Sequence, residues 1–398
     1  MAEVRRPADN RGLAQAGFSL VELMVGLTIG LIVILVVTQT LAIFEGQKRT
    51  TASGADAQQS GLMGLFAIEQ DVRMAGAGFN SIPTFSCVNF YSSYKQTSSS
   101  TAVQGTGFTP VPVLIQNGGT ATASDQIIVR TGANFAGSVP SRLIEPLLST
   151  TTPFNLLVER SYDFTNQDLI VLVDPTFTNC TLMRVTTVNA PQRQLSVASG
   201  QYPEYNPNPL PSGWPTQYPA QSWVYRVGTT GIGGVGTRTY SVDANQSLQV
   251  VDSNGAQSGI LASDIVNLQA QYGISTSFNS KDIASWVNGT GSFAAATLTG
   301  SGGVTDRQRI KAIRVAIVAR SKNREAGLVT SQCAAVNNNR PDCACVNAAT
   351  TNFGPCAWRD DSTNPGPIID LRGDPDWQHY RYKVYQTIIP LRNSIWPY

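Results

Sequence analysis

The chain changes its hydrophobic rhythm twice. Between Phe18 and Phe44 nearly every residue is apolar or small, and Glu22 is the only ionisable one. Such a run exceeds the roughly 20 residues a helix needs to cross a bilayer. Arg5, Arg6 and Arg11 precede it. A basic flank on that side predicts that the start stays cytoplasmic while the rest crosses. No A-x-A cleavage site follows Val37, so the segment is expected to remain as an anchor rather than leave as a secretory signal peptide.

From residue 45 to 78 the period becomes helical. Leu65, Ile68, Val72 and Ala75 recur at steps of three and four, with Leu62 and Phe66 beside them, which predicts one apolar face. Asp56, Gln59, Glu69, Gln70 and Arg73 fill the remainder. Gly46, Gly54, Gly61 and Gly64 also fall here. Each costs about 1 kcal/mol relative to Ala inside a helix, so packing must hold this helix together.

Over residues 79–398 the period drops to two. Strands are predicted at 125–131, 168–174, 181–188 and 222–228, with a hairpin over 238–252 and a turn at the "DSNG" of 252–255. The stretch "IVNLQAQYGI" alternates Val266, Leu268, Ala270 and Tyr272. "KAIRVAIVARS" alternates Ile313, Val315 and Ile317, with Arg314 on the other face. "YRYKVYQTIIPLRN" presents Tyr380, Tyr382, Val384 and Ile388. The expected class is therefore α+β, a long N-terminal helix packed on an antiparallel β-rich head. A Pro-rich insert over 201–222 and a Cys-rich insert over 325–378 interrupt that head.

Composition narrows the function. Only 14% of the 398 residues are charged, against about 25% on average, so the polar surface is built from Ser, Thr, Asn, Gln and Gly. A net charge of +2 provides no strong field for nucleic acid. The six cysteines Cys87, Cys180, Cys333, Cys343, Cys345 and Cys356 are an even set, which fits disulfides outside the cytoplasm. The last four are separated by 9, 1 and 10 residues, unlike the C-x2-4-C pairs of zinc sites. Local pairing within the cluster, with Cys87 bridged to Cys180, is the favoured connectivity, and spacing alone leaves other pairings open.

Catalytic patterns are weak. His379 is the single histidine, and no G-x-S-x-G elbow accompanies it. "TGIGGVGT" at 230–237 lacks the Gly-Lys-Ser/Thr ending of a phosphate loop. In "DLRGDPDW" the acids Asp370, Asp374 and Asp376 lie close together around Arg372-Gly373-Asp374. The closing Glu of a calcium loop is missing, so an ordinary turn is expected. No enzyme activity, cofactor or metal is expected.

Glu22 is the anomaly, because an acid at the centre of a spanning helix costs about 2.5–3.5 kcal/mol. A basic leader, the Gly17-Phe18 junction and Glu22 five residues into "FSLVELMVGL" together resemble the type III signal of type IV prepilins. "LASDIVNLQAQYGI", "IKAIRVAIVARS" and "YRYKVYQTIIPLRN" resemble segments of PilW-type minor pilins. The resemblance implies a pilin-like fold and removal of a 1–17 leader by a prepilin peptidase. It further implies N-methylation of Phe18 and an 18–44 helix that serves as membrane anchor and filament core.

The free amine of Phe18 and the carboxylate of Glu22 would then form a subunit-docking pair. Gly26 and Gly30 form a G-x-x-x-G spacing that permits close helix packing. Many major pilins carry a proline near the position of Gln39, whereas this chain has none between Pro7 and Pro83, which points to a minor subunit. The implied role is priming of pilus assembly at or near the filament tip. The partners would be other minor pilins, the major pilin, the inner-membrane assembly platform, a tip adhesin and membrane lipid. A minor pseudopilin of type II secretion, similar to the GspJ type, and a membrane-anchored adhesin are the competing readings. The size of the head, about 20 Å in radius of gyration by length scaling, favours capping a filament over repeating along it.

Overall fold

The computed structural model describes residues 19–77, 87–92, 111–120, 122–132, 139–148, 153–202, 205–208, 213–215, 217–229, 235–252, 257–330, 353–355, 357–358, 366–367 and 369–395. The chain divides into two units, 1–53 and 54–398.

The first unit is helical. A continuous helix, Leu20–Met74, begins here. At 1.5 Å per residue its portion up to residue 53 covers about 50 Å, against about 30 Å for a bilayer core. Its apolar side chains, including Leu23, Ile29, Leu31, Ile34 and Phe44, are all exposed.

The second unit is built around residues 54–74 of that helix. Leu65, Ile68, Val72 and Ala75 are buried, as the spacing predicts, and Ala57 joins them. Leu62 and Phe66 are not: they are 51% and 67% exposed. At 100° per residue they lie more than 100° around the helix from Ile68, too far to share its face. The glycines are explained by close approach. A Cβ on Gly61 would stand 2.3 Å from the Tyr385 ring, and one on Gly64 would stand 2.7 Å from Leu248. Gly76, at φ +76°, ends the helix; its N–H bonds to the Arg130 carbonyl at 2.9 Å, and Asn393 Nδ2 donates to the Ala75 carbonyl at 2.8 Å.

Two antiparallel sheets complete this core. One runs in the order Gln257–Ala262, Leu248–Asp252, Val235–Val242, Gln126–Gly132, Val113–Gln116. The other runs Ser285–Val287, Ile265–Ile274, Ile310–Arg320, Tyr382–Pro390. Ile127, Leu268, Tyr272, Ile313 and Ile317 meet the helix residues in one buried cluster.

The alternation read from the sequence is incomplete, because almost every residue of Ile265–Ile274 and of Ile310–Arg320 is buried on both faces. The second cover comes from within the Cys-rich insert, where Trp358, Ile369, Leu371 and Trp377 pack on Ala316 and Val318. Arg314 is drawn inside as well. Its guanidinium lies 4.9 Å from the Trp286 ring and 4.3 Å from the Trp358 ring, with Nε donating to Gln271 Oε1 at 2.7 Å. In the last strand the helix-side residues are Tyr385 and Ile389, whereas Ile388 is 52% exposed.

Residues 139–229 form a lobe inserted between strands Gln126–Gly132 and Val235–Val242. Its main sheet runs Asn89–Tyr91, Asn179–Arg184, Asp168–Val173, Trp223–Thr229, Ser141–Arg142. Asn89–Tyr91 pairs in parallel with Asn179–Arg184, a departure from the all-antiparallel expectation. The predicted strand at 181–188 is split, since Asn179–Arg184 and Thr187–Asn189 belong to different sheets. Leu156, Ile170, Leu172 and Leu195 fill one face of the lobe; Val171, Val173, Leu182 and Tyr225 fill the other. The Pro-rich insert contributes buried Tyr205 and Tyr218, the latter hydrogen-bonded to Thr181. The turn at 253–256 lies outside the described residues.

Two buried acids in the second unit give measurable expectations. Asp71 meets Arg238 Nη1 at 2.9 and 3.0 Å and accepts a short bond from the Tyr240 hydroxyl. Asp71→Ala removes the carboxylate from that buried hydroxyl and leaves half-exposed Arg238 its longer pair with Asp252 at 3.5 Å. We expect a loss of about 2–3 kcal/mol in urea unfolding, and a much smaller loss for Glu69→Ala, which breaks only a surface pair with Arg73.

Asp125 accepts the N–H groups of Gly118 and Ala270, each at 2.9 Å. Burial nevertheless pushes its carboxyl up to about 6. Between pH 4 and 6 the folded chain therefore keeps a proton that the unfolded chain has lost. The stability this group contributes is full below pH 4 and falls by about 2–3 kcal/mol as pH rises through 6. Melting temperatures across pH 4–7 should show that slope in the wild type and lose it in Asp125→Asn.

Candidate functional site

Glu22 lies in the first turn of the long helix, where the Leu23 N–H donates to the Ser19 carbonyl at 3.1 Å. A carboxylate is electrostatically favoured at a helix start, where unpaired N–H groups concentrate positive partial charge. The run from Leu23 to Val37 suits an apolar surrounding. Thr28, Thr38 and Thr40 turn their hydroxyls back onto the carbonyls of Val25, Ile34 and Val36 at 2.9, 3.0 and 2.8 Å, so these three hydroxyls are satisfied within the helix. Around Gly26 and Gly30 a Cβ would meet nothing within 4 Å, leaving a smooth strip open to another helix. This helix is long and apolar enough to cross a membrane. Gly17 and Phe18 lie outside the described residues.

The other sequence candidates are distributed through the second unit. Cys87 and Cys180 form a disulfide with Cα atoms 6.0 Å apart, which is the cross-link the favoured connectivity named. It joins the segment 87–92 to the inserted lobe. The Cys87 carbonyl also receives a short bond from buried Arg307, which donates in addition to the Leu298 and Gly300 carbonyls at 3.1 and 3.0 Å. Cys333, Cys343, Cys345 and Cys356 lie outside the described residues, as does most of "TGIGGVGT".

Each acid of the 370–376 turn has its own arginine: Asp370 with Arg372 at 2.6 Å, Asp374 with Arg320 at 2.8 Å, Asp376 with Arg324 at 3.1 Å. Among the described residues no three metal-binding side chains gather. Arg372 is further folded over the Phe353 ring at 3.5 Å. The Arg-Gly-Asp tripeptide is thus tied down at both ends, with Arg372 and Gly373 still exposed. His379 Nδ1 sits 2.9 Å from the Glu325 carbonyl and 3.1 Å from that of Gly327, a hydrogen bond that braces the loop.

Asp71, Tyr240 and Arg314 carry much of the polar organisation, yet sequence pattern does not single them out as site residues. Asp71 has a signal: three residues after Ile68 and one before Val72, it must share their buried side. Arg314 has none, because the tryptophans that hold it come from distant segments.

Comparison with known families bears on the class of protein. Residues 13–38 match the prokaryotic N-terminal methylation motif, and residues 234–393 match PilW, the Type IV Pilus-assembly protein W family. The two matches together support a PilW-like pilin. Comparison with curated proteins and with solved structures yields no match. The PilW match covers the two-sheet core from Val235–Val242 onward and omits the lobe at 139–229. For a PilW-like pilin the motif implies prepilin processing and association with other pilus components, and motif and apolar helix together fit inner-membrane anchoring and incorporation into a pilus. Pilin domains are structural rather than catalytic.

Proposed function

We propose that this chain is a minor pilin that primes type IV pilus assembly and sits at or near the filament tip, without catalysis. A prepilin peptidase cleaves between Gly17 and Phe18, the new Phe18 amine is methylated, and the N-terminus faces the cytoplasm. Phe18 and Glu22 then act as paired charges in docking against a neighbouring subunit, while Gly26 and Gly30 let its helix approach closely. Other minor pilins, the major pilin, the inner-membrane platform and a tip adhesin are the partners.

The observation that carries this reading is Glu22, an exposed acid in the first turn of a helix whose next twenty or so residues suit only lipid or another helix. Deleting the gene tests it. Loss of surface pili and twitching, with secreted enzymes still exported, is the expected phenotype. Intact pili with secreted enzymes trapped in the periplasm would instead mark a pseudopilin of type II secretion.

A further inference from the structure

Sheet edges are ready-made templates for another strand, and proteins usually blunt them with short strands, charges or proline. Most edges among the described residues follow that rule. Asn89–Tyr91, Ser141–Arg142, Thr187–Asn189 and Ser285–Val287 have three residues or fewer, and Phe154–Leu157 has four. Tyr382–Pro390 is longer but carries exposed Lys383 and ends in Pro390. Val113–Gln116 has four residues, and its Ile115 N–H is already taken by the Tyr272 hydroxyl.

Gln257–Ala262 stands apart. It is a six-residue edge of the five-stranded sheet, with the sequence QSGILA, without charge or proline. It pairs with Leu248–Asp252 on one side, in regular register over Gln257–Ile260 and with a register shift at Leu261 before Ala262 meets Leu248. Among the described residues no backbone hydrogen bond joins it to any further element. Ile260 is 70% exposed there, and a Cβ on neighbouring Gly259 would meet nothing within 4 Å.

We propose that Gln257–Ala262 is a strand-acceptor edge, which takes an extended, uncharged segment of a neighbouring pilin-like subunit as an added strand. Only another extended backbone can satisfy a row of N–H and C=O groups at strand spacing. Six residues present about 20 Å of such a row. The absence of charge selects an uncharged incoming strand, and exposed Ile260 offers it an apolar cross-strand contact. The edge lies inside the region that matches the pilus-assembly family, so the occupant is drawn from the subunits assembled with this one. In that respect the inference rests on the function proposed above.

Hydrogen exchange on the full-length protein tests it, comparing sheared pili with detergent-dissolved protein. The expected result is exchange at 257–262 at least tenfold slower in pili. Alongside it, Ile260→Lys should enter pili at least tenfold less than wild type with an unchanged melting temperature, while Ile260→Thr enters normally. If the wild type is present in pili, yet exchange there is equal and Ile260→Lys assembles normally, the acceptor edge is wrong and the pilin reading survives. If the wild type is absent from pili, both fail. Slow exchange in the dissolved protein that strengthens with its concentration would overturn the proposal in favour of self-pairing between two copies.

Discussion

Replacing Glu22 by Ala should leave the protein in the membrane but lower its share in sheared pili at least tenfold. Removing the acid makes the anchor more apolar, so insertion is unharmed. On the docking proposed above, what is lost is the partner of the Phe18 amine in a low-dielectric contact between helices. Leaving one charge of such a pair uncompensated costs about 3–5 kcal/mol, and 1.4 kcal/mol is already a factor of ten. Glu22→Gln separates charge from shape: it keeps the length and hydrogen-bonding capacity yet should fail nearly as badly. A Glu22→Gln variant that assembled normally would mean that hydrogen bonding suffices. If Glu22→Ala itself assembled normally, the docking account would be wrong. The readout is the ratio of protein in pili to protein in membranes, by immunoblot.

The second large effect concerns the Cys87–Cys180 bridge, which closes a loop of 93 residues. On the chain-entropy account a cross-link of that span contributes about 3–5 kcal/mol. A Cys87→Ala, Cys180→Ala double variant should therefore unfold at clearly lower denaturant. It should also become sensitive to protease between residues 87 and 180, because besides the bridge the segment carrying Cys87 is held to the lobe by a three-residue parallel pairing, while its Arg307 contact ties it to the helix Val304–Arg309 instead. Reductant should do little further to this variant's protease pattern in that region while reproducing the pattern in wild type. An unfolding midpoint equal to wild type would show that the bridge contributes no stability.

How much of this is visible in the sequence differs from element to element. Ile265–Ile274 and Ile310–Arg320 are legible because apolar residues recur with strand spacing, β-branched ones in the second. Their burial on both faces is not, since the covering residues Trp358, Ile369, Leu371 and Trp377 are scattered through a segment with no period of its own. Leu62 and Phe66 fall outside the buried face they were expected to share, because apolar character does not by itself give the helical angle. The inserted lobe is not legible as a separate layer: its strands are short, and its parallel pairing with Asn89–Tyr91 brings together residues far apart in sequence.

At the candidate site the balance reverses. Glu22 announces itself, being the one acid in a long apolar run, where its cost demands a reason. The open edge at Gln257–Ala262 is invisible to pattern alone, because whether a strand is central or at an edge depends on the neighbours the fold supplies.

The most direct test of the account is the mass of the N-terminal peptide of this protein recovered from sheared pili. The expected peptide begins at N-methylated Phe18 and contains Glu22. A peptide still carrying residues from 1 to 17, or recovery from membranes with none from pili, would contradict the claim that this chain is processed and built into the filament.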